Sequence, residues 1–266
     1  MQNELNTAIQ AAIKAGTEIM KIYTDPNADF EVEKKADNSP LTIADKRSNE
    51  VITSFLDRTP YPVLSEEGKS TDYTIRKSWE KLWIVDPLDG TKEFIKRNGE
   101  FTVNIALVIN GIPEIGVIYI PVKKLLYYGQ TGYGAYKVEN IDPESNPTTE
   151  ELKQQAIQLP VKRKNSLFTV VASRSHLSPE TESFISDLQK KHPNLTTTSV
   201  GSSIKICLVS DGTADIYPRF APTMEWDTAA GHAIARAAGK EIYHIDRKTP
   251  IHYNKENLLN PWFIVE

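Results

Sequence analysis

The chain has 266 residues, enough for one large domain or two of ordinary size, and its 39% hydrophobic and 25% charged residues match a soluble globular protein. A net charge of −4, from 35 acidic and 31 basic residues, argues against a nucleic acid polymer as partner, because such binders carry a net basic surface. It leaves room for a small phosphorylated ligand met by a few converging cations. The single cysteine, Cys207, excludes an internal disulfide, and no stretch has the length of a transmembrane helix. The opening Met-Gln-Asn-Glu-Leu-Asn has no basic n-region and no apolar h-region, so no secretory signal is expected and the protein is placed in the cytoplasm.

Leu5, Ala8, Ile9, Ala12, Ile13, Gly16, Met20 and Tyr23 recur at helical spacing and predict a helix over residues 4–23. A polar loop, Lys34-Lys35-Ala36-Asp37-Asn38-Ser39-Pro40, separates it from a second helix at 42–56, where Ala44, Val51, Ile52, Phe55 and Leu56 repeat the pattern. Residues 62–65 read as a short strand running into Glu66 and Glu67. Leu82, Trp83, Ile84 and Val85 read as a buried strand that Pro87, with no N–H to donate, is expected to end. Two β-rich runs at 101–109 and 112–120 are joined by Asn110-Gly111, a hairpin signal, and short strands follow at 125–128 and 135–138.

Residues 139–150 are polar with two prolines, a candidate boundary or long surface loop. It divides the chain into an α+β part, 1–145, and an α/β part, 146–266. In the second part a strand at 168–172 precedes a helix opened by Ser178-Pro179. A strand at 196–200, a helix at 203–209, a strand at 214–217 and a helix at 228–238 follow, the last stopped by Gly239. Such alternation predicts an α/β fold class.

Residues 83–94, Trp-Ile-Val-Asp-Pro-Leu-Asp-Gly-Thr-Lys-Glu-Phe, carry two carboxylates three residues apart at a strand end. A turn there throws Asp86, Asp89 and the Leu88 carbonyl to one side, and oxygen ligands bunched on a rigid support suit a hard cation such as Mg²⁺. The same composition also makes an ordinary surface turn. Glu66 and Glu67, before Gly68, are either a solvated turn or further ligands. Asp227 either caps a helix or, fixed by that helix, holds a cation. Thr42-Ile43-Ala44-Asp45 has capping-box spacing, which gives Asp45 a structural job. The five histidines, His176, His192, His232, His244 and His252, show no zinc-ligand spacing, and Cys207, in an apolar stretch, reads as a buried structural thiol. Lys162-Arg163-Lys164 reads as a solvated run.

Taken in order, Glu66-Glu67, Asp86-Pro87-Leu88-Asp89-Gly90-Thr91 and Trp226-Asp227-Thr228-Ala229-Ala230-Gly231 resemble the motifs of the inositol-monophosphatase-like, Mg²⁺-dependent phosphatases. The resemblance runs nearly end to end, since residues 35–45 are similar to that family's N-terminal loop and second helix. Lys92-Glu93-Phe94-Ile95-Lys96-Arg97-Asn98-Gly99-Glu100-Phe101, Ser173-Arg174-Ser175-His176, Gly201-Ser202-Ser203-Ile204-Lys205 and Tyr217-Pro218-Arg219-Phe220 resemble its CysQ-type branch, the 3'(2'),5'-bisphosphate nucleotidases.

The resemblance implies a layered αβαβα sugar-phosphatase-like fold and two or three Mg²⁺ per active site. One cation would be held by Glu66, Asp86 and the Leu88 carbonyl, and a second by Asp86, Asp89 and Asp227. Two cations about 3.5–4 Å apart clamp the attacking water and the leaving oxygen of an in-line displacement, with no phosphoenzyme. Asp45, Glu66 and Thr91 are the implied catalytic residues, Thr91 orienting the water through its hydrogen bond to Asp45. The implied substrate contacts are Glu66, Leu88, Asp89, Gly90, Thr91 and Asp227, with Ser202, Lys205, Arg219 and His176 on the adenosine and distal-phosphate side. Free N–H groups after Gly201 are expected to favour an anion there. The implied partner is a small nucleotide bisphosphate: removal of the 3'-phosphate from adenosine 3',5'-bisphosphate, with 3'-phosphoadenylyl sulfate as a second candidate, would clear a by-product of sulfate assimilation and be inhibited by lithium. An inositol-phosphate or sugar-bisphosphate phosphatase is the alternative within the family, and a non-catalytic phosphate-binding module the alternative outside it. Oligomeric state stays open, a monomer being compatible, as does peripheral attachment at the cytoplasmic face of the inner membrane.

Overall fold

The helical apolar spacing near the N-terminus is realised as a buried stripe. In a computed structural model, which describes residues 1–34, 40–163, 167–173 and 178–266, helix α1 (Gln2–Thr24) buries Leu5, Ala8, Ile9, Ala12, Ile13 and Gly16. The short antiparallel pair β1 (Glu33–Lys34) and β2 (Pro40–Leu41) leads into α2 (Ile43–Leu56), which packs beside α1. Next come β3 (Val63–Ser65), α3 (Tyr73–Arg76), β4 (Lys81–Asp89), α4 (Thr91–Ile95), β5 (Thr102–Ile109), β6 (Ile112–Ile120), β7 (Leu125–Gln130) and β8 (Gly134–Val138). The remainder is α5 (Thr149–Gln155), β9 (Ile157–Gln158), β10 (Thr169–Ser173), α6 (Pro179–Lys191), β11 (Thr196–Val200), α7 (Ile204–Ser210), β12 (Tyr217–Arg219), α8 (Glu225–Ala237), β13 (Ile242–His244) and β14 (Phe263–Val265).

Strands β3 to β9 lie in sequence order in one sheet, with only the β3–β4 pair parallel. The β5–β6 hairpin turns on Asn110 (φ 51°) and Gly111 (φ 77°), the paired positive φ values that Asn-Gly predicts. Alternation along β4 and β5 separates two cores. Trp83, Val85, Val103, Ile105 and Leu107 face α1 and α2, whereas Leu82, Ile84, Ala106 and Val108 face α7 and α8. Beyond α7 and α8 lie the parallel pair β10–β11 and the antiparallel sheet β12-β14-β13. Helix α6 then covers Val170, Ile216, Phe220 and Ile264 with Leu188. The layers therefore read αβαβα. The second core joins Leu82, Ile84 and Ile118 to Cys207, Ala229 and Ile234, so it draws on both sides of residues 145/146. Cys207 is fully buried, which pushes its thiol well above its usual pKa, as a structural thiol requires.

Helix α8 docks on β6 with backbone contact. A Cβ added at Gly116 would sit 2.1 Å from the Ala230 carbonyl, so only glycine lets the helix come this close.

Three sequence expectations need correction. The strand expected to end before Pro87 continues through Asp89 as β4. Asp86 pairs with Asn104 and Asp89 with Thr102, so Pro87 and Leu88 together oppose Val103 in a bulge. The missing N–H does no harm because β3 has ended opposite Val85, leaving that side of Pro87 without a neighbouring strand. The strand expected at 214–217 forms instead at Tyr217–Arg219, with Ile216 making only an isolated bridge to Val170. The helix expected from residue 228 begins at Glu225, so Asp227 lies inside its first turn. Among the described residues no helix is long and apolar enough to cross a membrane.

Replacing Gly116 by alanine should push α8 off the sheet and lower unfolding stability by about 1–3 kcal/mol, an overpacking cost. Denaturant titration should show the midpoint falling at an unchanged slope; an unmoved midpoint would show that the contact is slack.

Candidate active site

The bulge in β4 and the first turn of α8 bring together acids that are distant in sequence. One carboxylate oxygen from each of Asp86, Asp89 and Asp227 lies within 4.8 Å of the others. Asp86 is buried, while Asp89 and Asp227 keep part of their surface on a cavity. The Leu88 N–H donates to Asp86 Oδ1 at 3.1 Å, so the bulged peptide folds over the deepest acid. Glu66 follows β3, its N–H donating to the Val85 carbonyl at 3.1 Å, and its carboxyl shares a hydrogen bond with Asp86. Parallel pairing of β3 with β4 thus adds a fourth acid. The turn reading of these motifs and the ligand reading are compatible locally, since a tight bulge is what gathers the oxygens.

Crowding has an electrostatic consequence. Burial, reinforced by Glu66, Asp89 and Asp227, raises the Asp86 carboxyl well above the usual carboxylate range. Asp227 is pushed up to about 8, first by desolvation and then by Asp89, against the opposing hydrogen bond from the Met224 N–H. Asp227 is only partly exposed, on its cavity side, which is consistent with desolvation leading. An all-oxygen donor set with this excess of negative charge fits a hard divalent cation, which relieves the repulsion that otherwise favours protonation.

Two of the acids serve their helices as well as the site. Asp45 is the third residue of α2. Its Oδ2 accepts the Thr42 N–H at 2.8 Å and the Thr42 hydroxyl at 2.5 Å, while Oδ1 accepts the Thr91 hydroxyl at 3.1 Å. Capping and contact with Thr91 are therefore compatible, one oxygen for each. Asp227 does likewise from the third position of α8, its Oδ2 accepting the Met224 N–H at 2.7 Å. It is not the N-cap that its sequence context suggested. Thr91 opens α4 directly after Gly90, at φ 96°, and its hydroxyl also lies 3.4 Å from the Leu88 carbonyl.

The segment before α7 closes the site. The Ser203 N–H donates to Asp89 Oδ2 at 2.6 Å, and the Ser203 hydroxyl lies 2.6 Å from that oxygen and 2.8 Å from the Asp227 carbonyl. The Gly201 N–H donates to Glu100 Oε2 at 2.8 Å. The N–H groups expected to be free for a ligand anion here are thus partly used by the protein's own carboxylates. Asn104 Nδ2 lies 3.3 Å from Asp89 Oδ2 and 2.8 Å from Ser203 Oγ. Ser48 on α2 donates to the Pro87 carbonyl at 2.6 Å, tying the bulge to the helix. Sequence reading passed over Asn104 and Ser48, and it quoted Glu100 within a motif without giving it a role. The signal for Asn104 was a lone amide in an apolar strand; for Ser48 there was none.

A cavity of about 220 Å³ is lined by Glu66, Asp89, Gly90, Thr91, Glu93 and Asp227 together with Ser202, Lys205 and Arg219. Lys205 is buried, donating to the Ser202 carbonyl at 2.6 Å; desolvation lowers its ammonium to about 8, partly opposed by Asp89. Arg219 donates from Nη2 to the Pro222 carbonyl at 3.1 Å, but its buried Nε and the buried Ser202 hydroxyl have no protein partner. His176 lies outside the described residues. His232 plays no part here, its ring being held in the core between Tyr253 and Glu241.

The family model for the inositol monophosphatase family matches residues 1–262. The 3'(2'),5'-bisphosphate nucleotidase CysQ of Salmonella typhimurium is 44% identical over 263 residues, 98% of each chain. That of Escherichia coli is 44% identical over 264 residues with the same coverage. The crystal structure of CysQ from Bacteroides thetaiotaomicron superposes with a TM-score of 0.93 at 60% identity, covering 100% of this chain and 97% of that one.

Cation binding should be linked to pH. Asp86 and Asp227 both have raised pKa values when folded, so without a cation their contribution to stability is full below the ordinary carboxylate pKa and falls as pH rises, the Asp227 part being lost through about 8. A divalent cation needs them deprotonated. Mg²⁺ should therefore raise the melting temperature more at about pH 8.5 than at about pH 6. An equal gain at both values would contradict the assignment of these acids as the cation site.

Proposed function

Because the chain belongs to the inositol monophosphatase family, we propose that it is a metal-dependent phosphomonoesterase that removes the 3'-phosphate of adenosine 3',5'-bisphosphate to give AMP and phosphate. The observation that carries this reading is one cavity lined by two chemically different sets of side chains. Its acids suit a cation-assisted attack on one phosphate. In the same cavity, Ser202, Lys205 and Arg219 suit a second anion that the acids alone would repel. The unpartnered Ser202 hydroxyl and Arg219 Nε are buried donors without an acceptor, a costly state that a bound phosphate would relieve.

On this reading Glu66, Asp86, Asp89, Asp227 and the Leu88 carbonyl hold two or three Mg²⁺, which when bound supply Lewis-acid polarisation and charge neutralisation at the phosphoryl oxygens. Thr91 donates its hydroxyl proton to Asp45, which leaves its lone pairs to accept a hydrogen bond from the attacking water and aim it. Asp45, buried at 1% exposure, is the proton's destination through Thr91. Glu66 flanks the same water, while Gly90 and Thr91 face the scissile phosphate. Ser202, Lys205 and Arg219, with His176, hold the 5'-phosphate and nucleoside. Residues 1–145 thereby supply most of the reaction machinery, and residues 146–266 supply Asp227 and the nucleotide side. 3'-Phosphoadenylyl sulfate is a second substrate on the same logic. The place of action is the cytoplasm, in the clearance of a by-product of sulfate assimilation.

The test is Mg²⁺-dependent phosphate release from adenosine 3',5'-bisphosphate and from inositol 1-phosphate. The nucleotide should be preferred at least about tenfold in kcat/KM, and preference for the inositol ester would sink the substrate assignment. Asp89→Asn should lower kcat by about a hundredfold or more; full activity would remove Asp89 from the metal site. Lys205→Ala and Arg219→Ala should each raise KM for the nucleotide about tenfold with a smaller change in kcat, and an unchanged KM would refute their binding role.

A further inference from the structure

The turn at residues 200–203 is gripped by three separate residues, and one of them has no place in the reaction described above. Ser203 is fixed to Asp89 through its N–H at 2.6 Å. The Ser202 carbonyl accepts from Lys205 Nζ at 2.6 Å. The Gly201 N–H is held by the Glu100 carboxylate at 2.8 Å. Between these grips the backbone is poised to relax. Ser202 has φ 47°, a left-handed conformation unfavourable for a residue with a Cβ. Gly201 is packed so closely that a Cβ there would sit 2.9 Å from both the Glu100 carbonyl and Glu93 Cγ.

Glu100 itself stands on firm ground. It precedes Phe101, which is fully buried against Phe94 (5.3 Å between ring centroids) and Tyr23 (5.0 Å). Phe94 belongs to α4, the helix that Thr91 of the metal motif opens. A carboxylate anchored behind the metal motif thus reaches across to the turn that carries Ser202 and leads to Lys205.

We infer that Glu100 is a positioning residue that sets the spacing between the metal acids and the second-anion group, and so determines preference for substrates with two phosphates. The physical reason is the order of the grips. Loss of the Glu100 bond leaves Ser203 attached to Asp89, so the scissile side keeps its support. The turn just before it is released, and Ser202 can leave its strained conformation and carry its hydroxyl away from the cavity. A carboxylate–amide hydrogen bond is charge-assisted and stronger than a neutral one, enough to hold such a conformation. This inference rests on the two-anion reading of the cavity.

The test compares adenosine 3',5'-bisphosphate with 3'-AMP, which has the same scissile ester and no 5'-phosphate. In Glu100→Ala the ratio of kcat/KM for the two should fall about tenfold, mainly through KM for the bisphosphate. Glu100→Gln, which keeps an acceptor oxygen for Gly201, should retain the ratio within about threefold. Gly201→Ala, acting from the other side of the contact, should lower the same ratio. A wild-type ratio in Glu100→Ala, whether both activities persist or both fall together, would overturn the inference. A wild-type enzyme with no preference between the two substrates would instead overturn the two-anion reading itself.

Discussion

Four carboxyl groups crowded at the end of β4 repel one another, and a fold that keeps them together must be stiff around each one. At an effective dielectric of about 20, two unit charges about 4 Å apart repel by about 4 kcal/mol, several times the net worth of an ordinary hydrogen bond. No single support can hold such an arrangement. Asp86 is accordingly clasped by the bulged Leu88 peptide, and Asp89 by Ser203 and Asn104. Asp227 is held by the first turn of α8, which glycine at position 116 lets dock in backbone contact with the sheet. Burial first, and this repulsion after it, raise the carboxyl pKa values of Asp86 and Asp227, and a divalent cation would relieve the repulsion.

Economy of side chains follows from the same need. Asp45 and Asp227 each give one oxygen to a helix N-terminus, where a carboxylate is favoured by the free N–H groups and the helix dipole. The other oxygen is then aimed without further cost in side-chain freedom. Structural and chemical readings of these aspartates are therefore not rivals. The turn at 200–203 extends the principle: the N–H groups of Gly201 and Ser203 hold protein carboxylates, while Ser202, Lys205 and Arg219 line the cavity and, on the proposed reading, are what an anion would meet. Buried and partly desolvated, these donors offer an anion more than exposed ones would.

Much of this was legible in the chain. The helical spacing of α1, the Asn110-Gly111 hairpin and the Gly239 stop depend on local periodicity and local φ preference, and they appear where expected. The acids were legible as a set because their order resembles a family to which the chain belongs. The path of β4 past Pro87 was not legible. A proline is harmless in a sheet only where the neighbouring strand has already ended, and the length of β3 is no property of residues 86–89. The early start of α8 was hidden likewise, since its first turn is held by contacts with the segment after β13: Asn260 Nδ2 reaches the Met224 carbonyl at 2.7 Å, and the Asn254 N–H reaches Glu225 at 2.6 Å. The three-residue strands β13 and β14 are too short to show a period at all.

By itself the sequence determined the inventory of this site and most of the elements that present it: which oxygens are available, and that Asp45 can cap α2. Those follow from residue type and from interactions within a few positions of the chain. Tertiary structure alone decided the spacing. That Ser203 fixes Asp89 and that Glu100 holds Gly201 across a separation of 101 residues both arise from surfaces brought together by folding. Hydrogen bonds and Coulomb forces act over a few ångströms of space, and separation along the chain does not encode that distance.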